Sequence, residues 1–369
     1  MGITDVSVSL FAWNGIPATR YACHTGHFKG SSTLGLVTVH TDDGVDGHAF
    51  LGSASNGADR EGPIVTKVLK PMLIGEDPLD RARLYDELMS RSRYAPLCTI
   101  GALDIALWDI GGKVAGLPVH RLLGSFRDSV PAYASSTVLG SPEAYAEEAL
   151  AHREAGWAAY KIHPPAKWQT DIKVCEATRE AVGDDYTLML DSTWSYSYEH
   201  AIRVGRAIEA LSFYWYEDPL ADDDIYNCAK LREKLDIPLM ATEYSPGGFT
   251  SYAPWILARA TDYLRGDVAV KGGITSLIKT AHLAEAFGMN YEIHHGGNSH
   301  NNWANLNVIA AIPNTPFFEV LLPAAAQKYA VIEDLEVAAD GTVPMPSRPG
   351  IGAQIDFDLI ERKKLSVLE

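Results

Sequence analysis

Between positions 161 and 319, short apolar runs end at near-regular intervals on residues able to do acid–base or ligand chemistry. The run 158–163 carries Lys161 and His163 at its end. The runs 186–190, 213–216 and 238–242 are followed by Asp191, Glu217 and Glu243, and the runs 263–266, 290–293 and 315–318 by Asp267, His294 and Glu319. From Lys161 onward the intervals are 30, 26, 26, 24, 27 and 25 residues. A short apolar run followed by a helix-length amphipathic stretch, repeated with that period, predicts βα units of a parallel sheet that close into a barrel. In a (β/α)8 barrel the carboxyl ends of the strands share one mouth, where catalysis sits. One carboxylate alone reads as a solvated loop residue. Seven functional groups in step with the strand period do not, because independent surface residues have no reason to keep that phase.

The barrel leaves chain to spare. Of 369 residues, a barrel of this kind uses about 250, so a second unit is expected. A net charge of -16 excludes a general affinity for nucleic acid or anionic membrane, which needs a concentrated cationic surface. Cys23, Cys98, Cys175 and Cys228 form no close pair, fitting neither a zinc knuckle nor a disulfide framework. With no basic-then-apolar leader and no run of about 18 apolar residues, the expected compartment is the cytoplasm.

Residues 1–128 read as an α+β capping domain. Its strands alternate, with Val6, Val8 and Leu10 on one face and Leu34 and Leu36 on another. A long lid loop over 13–32 carries Arg20, Tyr21, His24, His27 and Lys29 as donors toward a polar anionic ligand. Asp77-Pro78 predicts a helix start. The segment 99–113 predicts a helix with Ile100, Leu103, Leu107 and Ile110 on one stripe, which makes Asp104 and Asp109 structural; His120 reads as structural too. The barrel is expected over 129–320, beginning near 130–134 with a first helix over 142–154. The tail 321–369, rich in Gly and Pro, is free to return to the capping domain. No Gly/Ser-rich linker separates the units, so they should pack tightly.

Asp191, Glu217 and Glu243 end three consecutive strands. Three carboxylates side by side repel one another unless a cation joins them, and an oxygen-only ligand set with room for water and substrate suits Mg²⁺, one ion per site. Lys161 and His163, two residues apart, share a strand face. Asp267 and His294, at the ends of adjacent strands, pair as carboxylate and imidazole. Glu319 is placed to hydrogen-bond a substrate oxygen, protonated if its surroundings are of low polarity. A metal facing a base suits removal of the weakly acidic proton α to a carboxylate. His295 and His300, in the polar run after the seventh strand, are expected to shape specificity, while Asn301 and Asn302 read equally well as helix-capping residues.

The sequence 102–109 (Ala-Leu-Asp-Ile-Ala-Leu-Trp-Asp), the Lys161-Ile162-His163 strand, the three acids, Asp267 with Gly272-Gly273-Ile274-Thr275 downstream, His294 and Glu319 together resemble the enolase superfamily and its mandelate racemase subgroup. The resemblance implies a modified (β/α)7β barrel with a capping domain built from both termini, Mg²⁺ on Asp191, Glu217 and Glu243, and Lys161 on the substrate carboxylate. It also implies His294 with Asp267 as one acid/base and Glu319 as a donor to the carboxylate. The subgroup's common Lys-x-Lys motif has His163 at its second place here, either as acid/base or as a binding group. Such proteins racemise, dehydrate or cycloisomerise carboxylic acids and are often homo-oligomers. The polar lid favours dehydration of a sugar acid to a 2-keto-3-deoxy acid; a racemase or cycloisomerase, or a silent metal-binding scaffold, are the alternatives.

Overall fold

The computed structural model describes residues 1–22 and 26–369. The N-terminal region forms an antiparallel sheet of β1 (Ile3–Thr19), β2 (Phe28–Thr41) and β3 (Gly47–Leu51). Val6, Val8 and Leu10 bury one face of β1 against the helices that follow. The stretch 13–32 is not one long loop. The β1–β2 ladder continues through Trp13↔Ser32, Asn14↔Ser31, Ile16↔Gly30 and Thr19↔Phe28, with register shifts around Ile16. Such bulges break two-residue alternation, and glycines at positive φ, Gly15 (+78°) and Gly30 (+86°), absorb the extra turn. The connection between the strands is therefore only the tip at 20–27.

A helix Arg81–Met89 begins after Asp80, three residues later than Asp77-Pro78 predicts, and buries Leu84 and Leu88. The long helix Leu97–Ala115 follows, ended by Gly116 in the left-handed conformation. It lies between the sheet and the barrel. Asp104 accepts hydrogen bonds from the Thr275 hydroxyl (2.6 Å) and amide (2.9 Å), and Asp109 accepts from His48 N and Ile351 N. Asp104 is an interdomain joint, Asp109 ties the helix to β3 and to the C-terminal tail, and one continuous core runs through the contact.

The barrel strands are β4 (Ser129–Ser135), β5 (Ala159–Ile162), β6 (Thr187–Asp191), β7 (Tyr216–Glu217), β8 (Leu239–Ala241), β9 (Tyr263–Gly266), β10 (Asn290–Ile293) and β11 (Phe318–Leu321). They run parallel, in the spatial order β10-β9-β8-β7-β6-β5-β4-β11. The seam between β10 and β11 is bridged by Tyr291 N to Asn314 O at 2.9 Å. The first barrel helix is Pro142–Glu154, capped by the Ser141 hydroxyl on Ala144 N. Seven helical crossovers and eight strands make the (β/α)7β architecture. Beyond it β12 (Thr342–Pro344) pairs with β4, and β13 (Lys364–Leu368) pairs with β1, so the tail returns to the capping sheet. Among the described residues no helix is long and apolar enough to cross a membrane.

Inside the barrel, Tyr133, Ala159, Met189, Trp215 and Met240 form an apolar plug. Residues two further along four strands point the same way, and they are Ser135, Lys161, Asp191 and Glu217. A charged layer thus sits on an apolar floor.

Candidate active site

Asp191, Glu217 and Glu243 offer carboxylate oxygens within 4.8 Å of one another, all on buried residues. For Glu243 this required a break in the strand. Met240 points inward while Leu239 and Ala241 pack outward, so strict alternation would bring Thr242 to the mouth. Thr242 instead adopts φ +90°, its hydroxyl accepts from Arg265 N on β9 (3.0 Å), and Glu243 turns in. Asp222 clamps the turn, accepting from Thr242 N and Tyr244 N. Thr193, Trp194 and Asp218, close after the other two acids, are also left-handed. Non-glycine residues in that region cost about 1–3 kcal/mol each and collect at functional sites.

Two cations lie beneath the acids. Lys161 Nζ is 3.2 Å from Asp191, 2.9 Å from Glu217 and 2.8 Å from Glu319. Arg265, fully buried, reaches Glu217 (2.8 Å) and Glu319 (2.6 Å) and donates to the Tyr133 hydroxyl (3.1 Å). Burial opposes charge on both side chains, but the carboxylates outweigh it and hold them protonated. Burial would likewise raise Glu319, yet Arg265 and Lys161 hold it well below the usual carboxylate range.

Two imidazoles flank the cluster. His294 Nδ1 is 2.6 Å from Asp267, and its Nε2 is 3.1 Å from Glu243. Asp267 is fixed in turn by Ala269 N and Val270 N. Burial disfavours the imidazolium, but Glu243 and Asp267 outweigh it and push His294 up to about 9. His163 Nδ1 is 2.7 Å from the Ser136 carbonyl and its Nε2 3.0 Å from Asp191. A carbonyl only accepts, so Nδ1 carries the hydrogen.

Five carboxyl groups (Asp191, Glu217, Glu243, Asp267, Glu319) thus meet two permanent cations and two imidazoles. Carboxyl groups outnumber the side chains able to carry positive charge in this buried cluster. Glu243 registers the shortage: burial, with Asp191 and Glu217 acting against His294 and Arg265, pushes it up to about 8. A divalent cation on the three strand-end acids matches both the donor set and the charge.

A pattern described as enolase C-terminal domain-like matches residues 144–359, and that of the mandelate racemase / muconate lactonizing enzyme N-terminal domain matches residues 8–124. The chain belongs to the enolase superfamily. Its relatives there include L-talarate/galactarate dehydratase of Salmonella typhimurium, 33% identical, with 89% of this chain and 82% of the relative covered. D-galactarolactone cycloisomerase of Agrobacterium fabrum is 30% identical, covering 88% of this chain and 89% of the relative. Among solved structures, D-glucarate dehydratase from Agrobacterium tumefaciens complexed with magnesium superimposes with a TM-score of 0.89 at 35% identity, over 99% of this chain and 100% of that one. These relatives are thus two sugar acid dehydratases and a cycloisomerase, and the D-glucarate dehydratase structure holds magnesium.

A cavity of about 790 Å³ opens above the acids, bordered by His163, Asp191, Glu243, Asp267 and His294. Lys161 and Glu319, expected to touch substrate, lie in the layer beneath and do not border it. The superfamily resemblance implies a donor at Glu319; here its carboxylate accepts from His295 N and pairs with Lys161 and Arg265. Tyr21, His27 and His295 do border the cavity. Tyr21 donates to Leu322 O and accepts from Gln327, with its ring 5.5 Å from that of His163. Both ring nitrogens of His295 are engaged, by Gly297 N and Asn302, so it is a wall rather than a ligand-binding group. Arg20 does not border the cavity; its backbone is tied to Val138 beyond β4. His24 lies outside the described residues. His300 is a correction: it packs on Phe50 and lines a separate cleft with His48 and Lys113. One step along a helix turns a side chain by about 100°, which carries His300 away from the face that holds Asn301 at the mouth.

Arg265 and Asp222 were missed by the strand-end reading. Arg265 had a signal, since it stands two residues before Asp267 on one strand and must face the barrel interior. Asp222 had none, because it acts on backbone amides across a loop.

Proposed function

We propose that the chain is a Mg²⁺-dependent sugar acid dehydratase, with Asp191, Glu217 and Glu243 holding the ion. The observation that carries this reading is the His294–Asp267 pair facing the cavity beside those three acids. When bound, the cation supplies electrostatic stabilisation to the developing enediolate, typically worth several kcal/mol. Asp267 holds His294 with Nε2 toward the cavity, and His294, once it has released the proton that Glu243 and Asp267 hold on it, takes the proton α to the substrate carboxylate in its neutral form. Lys161 keeps the carboxylate layer compensated during that transfer. The hydroxyl on the next carbon then leaves as water, taking a proton from His294 or His163, and the enol product tautomerises to a 2-keto-3-deoxy acid. Tyr21 and Gln327 close the site on the His163 side.

The test is incubation with Mg²⁺ and a panel of aldonic and aldaric acids, with semicarbazide detection of 2-keto acid. Product is expected from at least one acid; none from the whole panel sinks the dehydratase reading. A second reading, racemisation or cycloisomerisation through the same proton abstraction, draws on the two imidazoles flanking the acids and on the cycloisomerase relative. Exchange of the α-proton in D₂O without loss of water would decide for it. A silent metal-binding scaffold would be indicated if a His294→Asn variant behaved as wild type in both assays.

A further inference from the structure

The floor of the cavity, built from strand ends, holds all the groups assigned to chemistry. Its roof comes from the capping domain and is of another character. Leu51, Ala54, Cys98, Ala102 and Ile105 make much of it apolar. Beside them stand the polar Tyr21, His27, Ser53, Ser55 and Asn56, and Glu61, whose Oε2 is buried and has no hydrogen-bond partner. Glu61 and Cys98 border the same cavity as His294 and Asp267. Among the described residues no lysine or arginine borders the cavity, and burial holds His295 down at about 3, hence neutral.

An unpaired buried carboxyl oxygen asks for a donor. A substrate hydroxyl provides one. A second substrate carboxylate does the opposite, since it would face another carboxylate, and among the described residues no lysine or arginine borders the cavity to compensate it. Resting on the proton-abstraction reading above, we propose that Glu61 sets specificity by accepting a hydrogen bond from a distal hydroxyl, and that the site takes monocarboxylic polyhydroxy acids (aldonic) in preference to dicarboxylic ones (aldaric).

The experiment follows α-proton exchange in D₂O by NMR, together with steady-state turnover, for matched five- and six-carbon aldonic and aldaric acids with the Mg²⁺-loaded protein. An aldonic acid is expected to exceed the aldaric acid of the same configuration by about 100-fold or more in kcat/KM, the scale of discrimination a misplaced buried polar group produces. Glu61→Ala should raise KM for that aldonic acid by about 10-fold with the loss concentrated in KM, and Glu61→Gln, which keeps an acceptor, should recover most of it. Glu61→Arg should narrow the gap between the two acid classes. Thermal unfolding of each variant, compared with wild type, separates a folding defect from lost recognition. Preference of the wild type for an aldaric acid, or an unchanged KM in a folded Glu61→Ala protein, overturns the assignment to Glu61 while leaving proton abstraction in place. Absence of exchange with every acid removes the abstraction reading itself, and this one with it.

Discussion

The two imidazoles beside the acidic cluster are held by different chemistry. His294 rests on the Asp267 carboxylate and His163 on the Ser136 carbonyl. A carboxylate fixes the ring and also compensates a positive charge on it; a carbonyl fixes the ring alone. The second nitrogen of each points at a strand-end acid, Glu243 for His294 and Asp191 for His163. The asymmetry therefore lies behind the rings, away from the cavity. It makes His294 the group able to hold a proton through a reaction cycle, and His163 a group with one tautomer and no charge partner behind it.

That contrast can be broken most directly by removing each ring. His294→Asn should lower kcat/KM by about 10⁴-fold, at the upper end of what a positioned acid/base contributes, and abolish α-proton exchange. Asp267→Asn keeps the shape but removes the compensating charge, and a loss of about 10³-fold is expected, read from the pH profile as well as the rate. His163→Asn should cost about 10²-fold or less while exchange persists. Equal losses at His163 and His294, both without exchange, would show that the backing group makes no difference.

The contrast is sharpened by Arg265, which joins Glu217 to Glu319 and thus links the acids to the layer supporting His295. Arg265→Met leaves those two carboxylates without that partner. Mg²⁺ affinity measured by calorimetry should change by about 10-fold, in the direction of tighter binding if the lost charge dominates and weaker if lost positioning does. An effect on stability rather than activity lies outside the mouth. Burial holds His300 down at about 4, below its unfolded value of about 6.5. As pH falls from about 6.5 toward 4, the unfolded chain takes up a proton that the native one refuses, so stability is lost across that window, by at most about 3 kcal/mol. His300→Phe should flatten the acid limb of denaturation midpoints against pH; an unchanged limb would place the loss elsewhere.

Much of the site was readable from residue order because strand ends in a barrel are a one-dimensional property: a fixed period places each closing residue at the same rim. The helices 142–154 and 99–113 were readable for the same local reason, stripe and cap. The lid was misjudged because bulges around Ile16 hide a ladder whose partners are bonded across the hairpin. His300 and Arg20 were misassigned because facing depends on helix phase and on backbone ties such as Val138 N to Arg20 O, which a polar composition does not encode.

Residue order alone pointed to the barrel, its capping sheet and seven side chains at strand ends, since these follow from periodicity and alternation acting within each segment. Only the folded chain decided how those groups are wired. Thr242 leaves strand geometry so that Glu243 can turn in, Arg265 and Lys161 lie under the acids and keep Glu319 ionised, and Glu61 enters from the other domain. Each of these depends on charges and backbone groups far apart in sequence meeting in a buried, weakly screening interior, where a few ångströms decide which group keeps its proton.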